Sequence, residues 1–233
     1  MLNRFSLQIE NISHSYGDKN ILTNLNWTMV SGEIYVLLGP NGAGKTTFLN
    51  LLGQIIQPTS GNINLVDSKN QNMNAFLLTK LGYMTEFSYF YPFLNPIEMI
   101  RLVGKLKGLE SNFLENKINY WIKRLELWEY RHQKIESLSQ GTKKRIAFIC
   151  SIIHEPKIIL LDEPTNGLDP EQIIIFRDTL KELSMSGSLI LLSTHIMDLA
   201  EKLADNIGII RNTTLVYTGK STQNLEDLYL KTQ

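Results

Sequence analysis

Eight residues, Gly39-Pro40-Asn41-Gly42-Ala43-Gly44-Lys45-Thr46, restrict the folds open to this chain more than any other segment. Their spacing is G-x4-G-K-[ST]. They follow an apolar run, Ile34–Leu38, and open a segment, Lys45–Leu52, that carries Phe48, Leu49, Leu51 and Leu52 on one side. A strand, a glycine loop and a helix in that order aim successive backbone amides at phosphate oxygens, with the helix dipole behind them. Lys45 then reaches the β and γ phosphates, and the Thr46 hydroxyl is placed to ligate Mg²⁺. With Thr47, the next residue, these positions form the expected nucleotide-binding set. The loop predicts an α/β core that holds a nucleoside triphosphate.

The rest of the chain supplies the elements of such a core. Residues 5–37 read as strands, with Leu25, Trp27 and Met29 alternating with polar neighbours. Pro58-Thr59-Ser60-Gly61 is a turn before a strand at Asn62–Val66, and Leu81–Met84 is another short strand. From about Phe87 to His154 the pattern is helical. Leu114, Ile118, Trp121, Ile122 and Leu125 share one helix face. Strand and helix then alternate over Lys157–Leu161, Pro170–Leu183, Ser188–Ser193, Ile196–Ala204 and Asn206–Ile210. A strand at Thr214–Thr218 and a closing helix at Thr222–Leu230 complete the pattern. The expectation is one domain over residues 1–233, a P-loop NTPase core with an antiparallel β subdomain and an inserted α-helical subdomain. Residues 1–86 and 155–233 form the α/β core with its β subdomain, and about 87–154 the helical insert.

A second constellation narrows the chemistry. Ile158–Leu161 is continuously apolar, as a fully buried parallel strand should be, and ends in Asp162-Glu163. At the strand tip Asp162 is placed to hold Mg²⁺, and Glu163 to orient and deprotonate an attacking water. A GTPase or a simple kinase has no need of the second carboxylate immediately after the first.

Between the loop and this acidic pair lies Leu138-Ser139-Gln140-Gly141-Thr142. The order of the three segments resembles the ATP-binding-cassette family, and the resemblance covers nearly the whole chain. It implies that Ser139 and Gly141, with the helix starting near Gln140, bind the γ-phosphate of ATP held by a second subunit. The usual Leu-Ser-Gly-Gly-Gln departs here at Gln140 and Thr142, as in exporter-type cassettes. The following Lys143, Lys144 and Arg145 read as a solvated helix face. By the same resemblance His195 is the switch histidine at the γ-phosphate, and Tyr16 stacks on adenine. Asp169, in Asn166-Gly167-Leu168-Asp169, belongs to a loop that crosses the dimer interface. Glu86 stands where the family usually has glutamine sensing Mg²⁺ and the γ-phosphate; a carboxylate is also an oxygen ligand for Mg²⁺. The implied catalytic group is thus Glu163, His195 and Glu86, and the implied metal ligands are Thr46, Glu86 and Asp162.

The resemblance also implies partners: a second cassette subunit, identical or related, and a membrane permease. The aromatic segment Phe87-Ser88-Tyr89-Phe90-Tyr91-Pro92-Phe93-Leu94 is the docking candidate for the permease. Composition agrees with a cytoplasmic protein held peripherally at the inner face of the cell membrane. Hydrophobic content is 43% and charged content 20%, and no stretch approaches the ~18 apolar residues of a membrane span. No apolar signal-peptide core follows Met1-Leu2-Asn3-Arg4. The formal net charge of zero gives no broad electrostatic grip on nucleic acid. The single cysteine, Cys150, reads as a buried thiol. The expected function is ATP hydrolysis that drives an exporter through a dimer. The competing readings are a cassette ATPase acting on ribosomes or DNA, an importer subunit, and a non-catalytic binding module. The ending Leu225–Lys231 resembles exporter-type cassettes.

Overall fold

Two twelve-residue strands, β1 (Phe5–Tyr16) and β2 (Lys19–Val30), pair antiparallel at the start of the described chain. The computed structural model describes residues 4–221 and 224–232. Leu22, Leu25, Trp27 and Met29 of β2 point inward, so the alternation legible in the sequence is the alternation of the sheet. Next come β3 (Ile34–Leu38), α1 (Lys45–Leu52) and β4 (Ser60–Asp67). The last of these joins the other side of β1 to give a three-stranded antiparallel sheet, β2-β1-β4.

After β5 (Leu81–Met84), residues 96–152 supply three helices, α2 (Pro96–Leu106), α3 (Ser111–Arg124) and α4 (Gln140–Ile152). The helical pattern expected from Phe87 begins only at Pro96. Asn95 caps that start: its side chain accepts from the Glu98 N–H at 3.0 Å, and the Glu98 carboxylate accepts from the Asn95 N–H at 2.9 Å. With Pro96 at the first helical position this is a strong start signal, and it leaves the aromatic segment outside any helix. In α3, Leu114, Ile118, Trp121 and Ile122 are buried as their spacing requires.

The chain then alternates β6 (Ile158–Asp162), α5 (Pro170–Met185), β7 (Leu189–Ser193), α6 (Met197–Leu203), β8 (Asn206–Arg211), β9 (Thr214–Lys220) and α7 (Leu225–Lys231). The closing helix thus starts three residues later than its sequence pattern suggests; Thr222 lies outside the described residues. The second sheet has the order β5-β6-β7-β3-β8-β9, parallel except for β9.

Its central strands β3, β6 and β7 are buried at every residue and serve two cores. Val36, Leu38, Ile159, Leu161, Ile190 and Leu192 face the side on which Ile122, Phe148 and Phe176 pack. Tyr35, Leu37, Leu160, Leu189 and Leu191 face α1 and the antiparallel sheet, where Trp27 stacks on Phe48 at 6.3 Å. Period-two alternation with both faces apolar is why these runs carry almost no polar residue. The arrangement brings the C-terminal ends of β3, β6 and β7 side by side, and the phosphate loop, Asp162-Glu163 and His195 follow those ends.

Candidate active site

Gly44 caps α1 with φ of 102°, and a Cβ there would lie 2.7 Å from the Leu22 side chain. Only glycine fits this backbone and this approach to β2. Beneath the loop Lys45 is 7% exposed, and its Nζ donates to the Gly39 carbonyl at 2.8 Å and to the Pro40 carbonyl at 3.3 Å. The same ammonium lies 3.8 Å from Glu163 Oε1.

A cavity of about 380 Å³ opens above the loop. It is lined by Asn41, Gly42, Gly44, Lys45, Thr46, Thr47, Glu86, Asp162, Glu163 and His195, together with Ile21 and Asn166. Most of the expected site thus converges on one place from four separate stretches of sequence. Gly39, Pro40 and Ala43 sit in the loop behind this lining; Gly39 and Pro40 serve through their carbonyls on Lys45.

Asp162 is 1% exposed at the end of β6. Its Oδ1 accepts the Ser193 hydroxyl at 2.5 Å, while its Oδ2 is buried with no partner within the chain. A buried carboxylate oxygen left free beside a Thr46 hydroxyl and Glu86 is a donor set of hard oxygens, which suits Mg²⁺. Among the described residues no cluster of three or more His, Cys, Asp or Glu forms a self-sufficient metal cage. A cation here would draw its remaining ligands from phosphate and water.

Glu163 adopts φ of 44°, a left-handed backbone rare for a residue with a Cβ. Its N–H is held by Ser193 Oγ at 3.0 Å, and its Oε2 lies 3.0 Å from His195 Nδ1. Strain of this kind costs about 1–3 kcal/mol and concentrates at functional sites. The local fold therefore spends stability to aim this carboxylate into the cavity, between Lys45 and His195.

Ser193 is a residue that reading the chain did not single out. It is fully buried at the end of β7, and its one hydroxyl orients both acidic residues. Its signal was only its place two residues before His195. Ser193→Ala is expected to lower turnover about tenfold, since one hydrogen bond to a charged group is worth about 1.5–3 kcal/mol. Steady-state kinetics with a thermal melt checks this, and an unchanged kcat would show that Asp162 and Glu163 hold their positions unaided.

The basic residues after Gly141 depart from the solvated face expected of them. Arg145 is buried and donates to the carbonyls of Leu125 and Glu126, at 2.9 and 3.2 Å, stitching α4 to the end of α3. Lys144 is half-buried and donates to the carbonyls of Glu86 at 2.9 Å and Glu163 at 3.0 Å. Burial lowers its pKa, and the charges of Glu86, Asp162 and Glu163 act in the opposite direction. Lys143 reaches the Glu136 carbonyl at 3.3 Å. Backbone carbonyls at loop ends attract these cationic groups, a demand that helix periodicity does not display.

Other expected residues lie outside the cavity. Ser139 caps α4, accepting from the Thr142 N–H at 3.2 Å, and Gln140 lines a neighbouring groove with Glu86 and Lys144. Gly141 is buried so closely that a Cβ would lie 2.7 Å from the Gly167 carbonyl, which binds the Ser139–Gly141 segment to the loop before Asp169. Asp169 caps α5 through the Gln172 N–H at 2.9 Å. Tyr16 is half-exposed and lies edge-on to His14 at 4.7 Å. Cys150 is partly exposed as a residue, but its thiol is buried, and that burial pushes the thiol pKa up to about 12.

Residues 22–166 match the family model described as ABC transporter. The chain belongs to the ABC transporter ATP-binding family. An ABC transporter ATP-binding protein of Methanocaldococcus jannaschii is 34% identical over 97% of this chain and 80% of its own length. The lantibiotic transport ATP-binding protein SrtF of Streptococcus pyogenes is 33% identical over 96% and 95%. The bacitracin transport ATP-binding protein BcrA of Enterococcus faecalis is 32% identical over 93% and 70%. A solved ATP-binding subunit of an ABC transporter superposes with a TM-score of 0.88 at 26% identity, covering 97% of this chain and 98% of that one. The cassette is thus an ATPase subunit of a transporter, of a family whose members bind and hydrolyse ATP to power transport and work with a membrane permease. Among the described residues no helix is long and apolar enough to cross a membrane.

Proposed function

We propose that this cassette powers an exporter, closing head to tail on ATP with a second cassette and passing the motion to a separate permease. The observation that carries the reading is an incomplete site. One chain gathers Lys45, Thr46, Glu86, Asp162, Glu163 and His195 around a single cavity, while Ser139–Gly141 caps a helix outside it. An ATP bound by the first group and covered by the Ser139 segment of the other subunit would glue the two together. Closure can do work only because ATP favours the closed dimer over the open one.

In this reading Tyr16 stacks on the adenine, and Gly39 through Thr47 hold the phosphates. Thr46, Asp162 and Glu86 would hold Mg²⁺, which would neutralise charge on the phosphate oxygens. Glu163 takes a proton from the attacking water, and His195 orients Glu163 and meets the γ-phosphate. Asp169 meets the partner's phosphate loop. Residues 87–154 act as the moving insert of a single cassette domain. Names of relatives that refer to lantibiotic and bacitracin transport support an exporter. The location proposed is cytoplasmic and peripheral at the membrane, through the permease.

The aromatic segment is the docking face in this reading. Phe87, Tyr89, Tyr91 and Phe93 are 75, 93, 54 and 64% exposed, whereas Phe90 and Leu94 pack against the core. One loop thus offers four aromatics while Phe90 and Leu94 anchor it. Co-purification of the tagged chain from gently solubilised membranes of its host is expected to recover a multi-span hydrophobic protein in comparable amount. Phe87→Ser combined with Tyr89→Ser is expected to cut that recovery about tenfold or more, since buried aromatic anchors are worth about 2 kcal/mol each. Ribosomal or DNA-bound partners, with nothing from the membrane, would keep the ATPase and overturn the transporter coupling.

A further inference from the structure

Lys144 lies on α4, five residues after the Ser139 cap, on the helix whose first turn carries the Ser139–Gly141 segment. Its ammonium crosses from that helix to two backbone carbonyls that belong to other parts of the site. One is Glu86, in the loop after β5, at 2.9 Å; the other is Glu163, after β6, at 3.0 Å. Three segments distant in sequence therefore meet at one nitrogen. The Glu163 carbonyl it holds belongs to the residue with the left-handed backbone, whose N–H is fixed from the other side by Ser193.

We propose that Lys144 is a positioning residue for hydrolysis, holding the Glu163 backbone in its strained conformation and offsetting the negative charge that Glu86 adds to the site. The inference rests on Glu163 being the group that activates water. Two independent features support it. The hydrogen bonds fix peptide groups rather than side chains, so they set the direction from which Glu163 enters the cavity. The carboxylates of Glu86, Asp162 and Glu163 all act on the Lys144 charge, so it sits within an acidic cluster that Lys45 also borders. Because Lys144 and Ser139 ride on one short helix, a displacement of the helix N-terminus moves the Lys144 anchor with it. The state of α4 is thereby felt at Glu163.

The test compares Lys144→Met, Lys144→Gln and Lys144→Arg with the unaltered full-length chain in steady-state ATP hydrolysis, with melting temperatures measured in parallel. Lys144→Met and Lys144→Gln are expected to lose about tenfold or more in kcat, the worth of one charged hydrogen bond. Their KM for ATP should stay within about twofold, because the ammonium holds the base and not the nucleotide. Lys144→Arg, which keeps the charge and the donors, should recover most of the turnover. Adding Glu86→Gln to Lys144→Met should recover part of it by removing one of the unbalanced charges. If Lys144→Met is unfolded at the assay temperature, the Gln and Arg variants decide, since both retain a donor.

Turnover within about twofold of the unaltered chain in Met and Gln variants would overturn the inference. So would a loss that neither Arg nor the added Glu86→Gln relieves, because that is the behaviour of a purely structural lysine. Glu163→Gln assayed alongside separates the two readings. If it still hydrolyses ATP, the assignment of Glu163 fails. If it is inactive while the Lys144 variants are normal, only the role of Lys144 fails.

Discussion

Glu163→Gln is expected to lower ATP turnover about 1,000-fold, within the 10²–10⁴ that a positioned general base contributes. The substitution is nearly isosteric, and the contact that orients the residue survives it. Ser193 Oγ binds the Glu163 backbone N–H, and Lys144 binds its carbonyl; neither touches the carboxylate. The φ of 44° is therefore kept, and what disappears is the ability to take a proton from water. ATP binding should persist, because Lys45, Thr46 and the loop amides are unaltered. The variant should thus accumulate as an ATP-bound dimer, visible as an ATP-dependent doubling of mass in light scattering with size exclusion. Hydrolysis at the unaltered rate would remove Glu163 from the proposed chemistry, and a variant that stays monomeric in ATP would remove the head-to-tail dimer.

Lys45→Ala should act one step earlier. The ammonium is buried under the loop, where the Gly39 and Pro40 carbonyls hold it at 2.8 and 3.3 Å beside Glu163. A charged hydrogen bond to phosphate is worth about 1.5–3 kcal/mol, so affinity for ATP is expected to fall about 10- to 100-fold. Turnover should fall at least as far, because in the proposed site the same charge would face the γ-phosphate when it is most negative. Titration with a fluorescent ATP analogue measures the first effect, and phosphate release at saturating ATP the second. The two variants should part cleanly: Glu163→Gln binds without turning over, whereas Lys45→Ala binds weakly. Equal affinities in Lys45→Ala and the unaltered chain would mean that the amides of the loop suffice.

The sequence by itself determined those parts of the protein whose physical signal is local. Glycine spacing before a Lys-Thr pair, apolar runs with both faces buried, and a carboxylate pair at the end of such a run each depend on residues a few positions apart. The phosphate loop, β3, β6, β7 and the Asp162-Glu163 pair were therefore legible, whereas Glu86 and His195 entered only through the family resemblance and Ile21 of the cavity lining carried no signal. Tertiary structure decided what depends on groups far apart in the chain. It drew Lys144 and Arg145 out of a solvated face, because backbone carbonyls at residues 86, 125, 126 and 163 lie within their reach. It also gave Ser193 a double role that no spacing announces. A serine at a strand end is unremarkable until parallel pairing sets Asp162 opposite it, and that pairing is made by the sheet.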